Sequence, residues 1–238
     1  MLDQLTIGEK LYLLDYNVSA SELIWKTLFE LHLKEVIKID VHGIQLQSST
    51  EKFRKYESLL LLPLVKEEGQ FLYFDDYKMK LGRILYRFYR YKEILFDNSW
   101  RLTTLLEDRN FFVTLLFGKR YSDKGVVERS KLKKHIKKLS TGLAHFSELN
   151  EEEIQFLKSH KIDLTLLNPR DIKKDKDILL NLFNNLEVDL LINQLTDYRD
   201  KYDYIDSGGG DFVDFCDGSD GDGDGGGGDG DGGGDGGD

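Results

Sequence analysis

The last 32 residues, Ser207 to Asp238, hold 16 of the chain's 23 glycines and ten aspartates, and only Phe212, Val213 and Phe215 among them offer bulky apolar surface. Glycine loses the most backbone entropy on ordering, and a stretch this poor in apolar groups has little burial to offset that loss, so it is expected to be a disordered acidic tail. Folding is therefore assigned to residues 1–206, read as a single helical domain, with 207–238 as the appended tail.

This division also settles the electrostatics. The chain carries 33 basic and 43 acidic residues, and the ten tail aspartates account for its whole formal charge of -10. A neutral body argues against the broad basic footprint of a nucleic-acid binder and leaves only local patches to recruit anions.

The single cysteine, Cys216, lies in the tail, so neither an internal disulfide nor a cysteine zinc site is expected. His32, His42, His135, His145 and His160 have no metal-ligand spacing, and no phosphate-cradling loop or nucleophile motif occurs in the body. Asp220, Asp222, Asp224 and Asp231 imitate a calcium-loop spacing, but in a Gly/Asp segment such a match is chance. No catalytic residue, metal or cofactor is assigned, and the expectation is a non-enzymatic protein. The amino terminus lacks a basic-then-apolar leader, and the longest apolar run, Leu59 to Val65, is too short to span a bilayer. Localisation is expected to be cytoplasmic, with any membrane contact peripheral.

Apolar periodicity predicts a mainly α fold with two β-hairpins. Thr6-Ile7-Gly8-Glu9 is a capping-box pattern opening a helix to about Asp15, and Ser19-Ala20-Ser21-Glu22 opens a second, largely buried helix. Val36 to Asp40 and Ile44 to Gln47 alternate around His42-Gly43 as a hairpin, so helix, helix and hairpin form a winged-helix-like unit. Further helices are expected over Glu51 to Leu62 and over Tyr77 to Leu95, the latter continuous and carrying Arg83, Arg87 and Arg90 on one face. Leu102 to Leu106 and Phe111 to Phe117 read as a second hairpin. Helices over about Lys124 to Leu139, Glu151 to Lys161, Lys173 to Asn185 and Val188 to Tyr202 complete the body.

Two features carry the functional expectation. Guanidinium forks suit phosphate, so Arg83, Arg87 and Arg90, with Lys80 beside them, are candidate headgroup-binding residues. An exposed hairpin tip would make Phe111, Phe112 and Leu115 an apolar wedge for a membrane interface. The lysine-rich run Lys131 to Lys138 reads as a solvated face of a core helix.

In order and spacing, these elements resemble the Golgi phosphoprotein 3 (GPP34) family over roughly residues 5–165. Leu5 to Leu14 is similar to that family's opening helix, Leu28 to Ile39 to its helix-to-strand segment, and Tyr89 to Leu95, Phe112 to Phe117 and Lys131 to Leu139 to later motifs. The resemblance implies a peripheral membrane adaptor that binds a phosphoinositide, inserts an apolar hairpin and takes short protein tails as partners. The alternative expectation is a winged-helix protein- or nucleic-acid-interaction module with an acidic regulatory tail.

Overall fold

A computed structural model describes residues 2–40, 42–47, 52–65, 67, 69–107, 120–167 and 176–190, and the acidic tail lies outside them. Among the described residues the fold is mainly helical, with a small antiparallel sheet.

The first two helices form where their caps predict. Thr6 and Glu9 complete a reciprocal capping box for α1 (Ile7–Leu14), and the Ser19 hydroxyl accepts from Glu22 N to open α2 (Ala20–Leu33). α2 ends in a Schellman motif: Val36 N donates to Leu31 O and Glu35 N to His32 O, with Glu35 at φ 59°. That turn aims the chain into β1 (Ile37–Ile39), and β2 (Gly43–Leu46) returns antiparallel, pairing Ile39 with Ile44. Asp40 Oδ1 accepts from both His42 N and Gly43 N at the bend.

A third strand, β3 (Phe71–Tyr73), pairs with β2 across Ile44 and Leu72, so the expected hairpin is the larger part of a three-stranded sheet. A Cβ on Gly43 would sit 2.3 Å from Leu72 O, which is why the strands approach there without a side chain.

The next helix, α3 (Lys55–Val65), is displaced by a few residues from the expected 51–62 and contains Pro63 rather than stopping at it. The continuous helix expected over Tyr77 to Leu95 is corrected to two: α4 (Phe74–Leu85) and α5 (Arg90–Asp97), broken at Tyr86. The break serves packing. It lets Leu81 and Leu85 on one side and Tyr91 and Leu95 on the other reach the same core from differently directed helices.

The extended reading of Leu102 to Leu106 is also overturned. Ser99 caps a helix, α6 (Trp100–Leu105), and only Leu106–Glu107 is extended, as β4, pairing with β5 (Arg120–Tyr121). Leu102 and Leu105 bury together in the core, which rewards helical spacing over the alternation their β-branched neighbours suggest.

α7 (Asp123–Ala144) is the longest helix among the described residues and buries Leu132, Leu139 and Leu143. α8 (Glu151–Ser159), α9 (Lys161–Leu164), α10 (Lys176–Leu182) and α11 (Asn185–Asp189) follow. Of the helix expected over Val188 to Tyr202, the residues beyond Leu190 lie outside the described ones.

Two buried polar clusters knit the helices. In the first, Glu9 Oε2 accepts from Thr6 N at 2.9 Å and pairs with Arg54, while Glu9 Oε1 accepts from Ser99 Oγ at 2.5 Å. Glu30 accepts from Ile7 N at 2.9 Å and meets Lys34 at 2.8 Å. Burial pushes the Glu57 carboxyl above the usual carboxylate range and the Tyr56 phenol well above its own.

In the second cluster, Lys10 meets Asp163 Oδ1 at 2.5 Å and His135 Nε2 lies 3.0 Å from Asp163 Oδ2, tying α1 and α7 to α9. Lys26, 3% exposed, donates to Thr165 O beside them. Burial pushes the Lys26 amine down to about 8 from 10.5, against the pull of Glu22.

Between pH 8 and 10 the unfolded chain therefore holds a proton that the native one has released, so stability is expected to rise with pH, by about 2 kcal/mol at most. Above pH 10 it should fall again, because the buried Tyr56 and Tyr91 phenols resist ionisation that the unfolded chain accepts. Urea midpoints across that range check this, and Lys26→Met should abolish the rising limb. A rise that survives the substitution would assign it elsewhere.

Candidate functional site

The connection between α4 and α5 gathers cationic and aromatic side chains at the surface. α4 presents Leu81 and Leu85 inward, so Met79, Arg83 and Ile84 fall on its outer side. The helix ends at Tyr86, whose φ of 64° and ψ of -38° place a bulky residue in a backbone region costing on the order of 1–3 kcal/mol. Arg87 and Tyr89 follow, Phe88 turns inward against the core, and Arg90 is the first residue of α5.

Tyr86 is 74% exposed and Tyr89 50%, with Arg83, Arg87 and Arg90 exposed around them. The Arg87 guanidinium lies 6.0 Å from the centre of the Tyr86 ring, and Arg83 Nη2 lies 3.8 Å from Met79 Sδ. Among the described residues, no carboxylate comes within 4.0 Å of any of these three guanidiniums. Lys80 differs: it forms an ion pair with Glu67.

Arg83 in the last turn of α4, Arg87 in the connection and Arg90 at the start of α5 thus flank the break rather than lying on one face of a continuous helix, and Lys80 is charge-compensated. No glycine or proline marks the break at Tyr86, since neither occurs between Arg83 and Leu95. The run Tyr86-Arg87-Phe88-Tyr89-Arg90-Tyr91 is the one trace of it, since four aromatics in six residues hold a helix poorly.

Phe111, Phe112 and Leu115, the expected inserting residues, lie outside the described residues, between β4 and β5. On α7, Lys133, Lys134 and Lys137 are exposed, Lys131 meets Glu128 at 2.7 Å, and Lys138 lies 4.0 Å over the Phe156 ring. Two of these five lysines are thus engaged within the protein, as a solvated face of a core helix would have it.

α2 bears on the winged-helix alternative. Ten of its residues are buried, including Trp25, Lys26 and Glu30, so it has no continuous face to lay in a nucleic-acid groove. A shallow apolar recess lies between α2 and α4, lined by Ile24, Trp25, Leu28, Phe74, Leu81 and Phe88, with a cavity volume of about 30 Å³.

Among the described residues, no group of three or more His, Cys, Asp or Glu side chains is placed to hold a metal ion, and no helix is long and apolar enough to cross a membrane. No protein-family model, curated protein or solved structure matches this chain.

Proposed function

We propose that this protein is a peripheral adaptor that binds anionic, phosphate-bearing membrane surfaces through the α4–α5 connection. The observation that carries the reading is Tyr86: a strained, exposed aromatic held between arginines that no described carboxylate neutralises. Backbone strain in a bulky exposed residue is retained where it presents a side chain for use. Tyrosine rings favour the headgroup layer, and guanidiniums suit lipid phosphate, so the ridge combines both halves of an interfacial anchor.

At roughly 1 kcal/mol per basic residue near an anionic surface, three arginines support weak, salt-sensitive binding that needs apolar reinforcement. Tyr86 and Tyr89 supply some of it. The resemblance to the GPP34 family would add Phe111, Phe112 and Leu115 as inserting residues, a phosphoinositide as the lipid and short protein tails as cargo, all as parts of this proposal. Lys80 contributes least, because its charge is already paired.

Co-sedimentation of the full chain with liposomes, with and without anionic lipid and at two salt concentrations, tests the reading. Arg83→Glu with Arg87→Glu is expected to weaken binding by about thirtyfold or more, from the loss of about 2 kcal/mol of attraction alone. Tyr86→Gly separates anchoring from folding: it should weaken binding while leaving the urea midpoint unchanged or raised, since glycine adopts that backbone without strain. Binding that is insensitive to salt and to both variants would sink the proposal.

A further inference from the structure

Sulfur and guanidinium meet on the outer side of α4. Met79 is 50% exposed, and its Sδ lies 3.8 Å from Nη2 of Arg83, one turn further along the helix. The chain has two methionines, Met1 and Met79, so Met79 is its one internal thioether. Among the described residues, no carboxylate within 4.0 Å draws the Arg83 guanidinium away from the sulfur.

Hydroperoxides oxidise an accessible thioether to a sulfoxide, and dedicated reductases return it to the thioether. With hydrogen peroxide, a sulfur lone pair attacks one peroxide oxygen, so that an S–O bond forms and the O–O bond breaks. Sulfur is oxidised by two electrons, and the departing hydroxide takes the proton of the new S–OH group and leaves as water. Negative charge builds on that departing oxygen, where a neighbouring guanidinium stabilises it. The product holds a strong oxygen acceptor where the thioether had a weak one. An oxygen added to Sδ on the side of Nη2 comes within hydrogen-bond range of Arg83.

We infer that Met79 is a reversible peroxide-modification site whose sulfoxide captures Arg83 and so detaches the arginine ridge from anionic surfaces. Two changes act in the same direction. The sulfoxide replaces half-exposed apolar surface beside the ridge with a dipole, and its oxygen occupies donors that lipid phosphate would otherwise take. The modification and the capture stand on the geometry of Met79 and Arg83, whereas the detachment rests on the membrane reading proposed above.

The full chain carrying Cys216→Ser, which removes its only thiol, is treated with hydrogen peroxide and mapped by mass spectrometry. Met79 is expected to gain one oxygen atom about threefold faster than in Arg83→Gln, the effect of one solvent-exposed charge. The oxidised protein should bind anionic liposomes about fivefold more weakly than the reduced protein, the share of one arginine, with its urea midpoint unchanged. Methionine sulfoxide reductase with a thiol reductant should restore both mass and binding. In Met79→Leu, peroxide should leave binding as it was.

Equal oxidation rates with and without Arg83 would overturn the inference. So would equal binding of the reduced and oxidised forms, a peroxide effect that survives Met79→Leu, or a loss of binding that tracks a fall in the urea midpoint. Reduced protein that binds no liposome would instead refute the membrane reading, and the detachment with it, while the two rates would still decide the modification.

Discussion

Glu9→Ala is expected to destabilise the protein by about 3–5 kcal/mol, enough to leave a marginally stable domain largely unfolded at physiological temperature. Glu9 is 1% exposed, and its two oxygens serve three donors from different parts of the chain: Thr6 N, Ser99 Oγ and an Arg54 nitrogen. Removing the carboxylate strands the two buried donors and leaves Arg54, which also bonds Tyr56 Oη and Gln4 O, beside an uncompensated hole. It also dissolves the capping box of α1.

Glu9→Gln should cost roughly half as much, because the amide oxygen still accepts one bond while its NH2 faces a donor. Urea denaturation of both variants measures this. An alanine variant within about 1 kcal/mol of the parent would show that water replaces the carboxylate at no cost.

Gly125→Ala is expected to cost about 3 kcal/mol, although alanine is the better helix former. A Cβ at position 125 would lie 1.9 Å from Leu105 O and 2.9 Å from Leu105 C, backbone atoms that cannot swing aside. That carbonyl is itself held by Ser122 N at 3.0 Å, and Ser122 Oγ donates to Thr104 O while capping α7 through Gly125 N. The first turn of α7 and the last of α6 thus share one bonded junction, and overpacking it must separate them.

In an isolated helix the same substitution would stabilise by about 1 kcal/mol, so the sign of the change reports tertiary contact. Thermal unfolding decides it. A raised midpoint would mean that the junction opens in solution.

The elements best read in advance were those whose signal is local. Thr6 with Glu9 and Ser19 with Glu22 announce α1 and α2 because a cap bonds within four residues. Alternation on either side of His42-Gly43 reveals the first hairpin for the same reason. The third strand has no such local signal, since its partner Ile44 lies 28 residues from Leu72.

Two misreadings share a cause. Leu102 to Leu106 has extended character by composition and becomes helix because Ser99 caps it and Leu102 and Leu105 bury in the core. Tyr77 to Leu95 has unbroken helical spacing and is split because α4 and α5 pack on different neighbours. In each case burial among distant residues outweighed a propensity worth tenths of a kcal/mol per residue.

The candidate site divides in the same way. Its arginines were legible as residues, but their lack of carboxylate partners among the described residues, the Lys80 pairing with Glu67 and the strain at Tyr86 were not. What the sequence determined by itself is the neutral helical body, its capped helices, its first hairpin and the placing of all net charge in the tail. Only the tertiary structure decided where a helix breaks, which cations meet a carboxylate among the described residues and where α2 and α4 leave an apolar recess between them. Caps, turns and charge counts depend on neighbours in the chain, whereas ion pairing, strain and grooves depend on residues that only folding brings together.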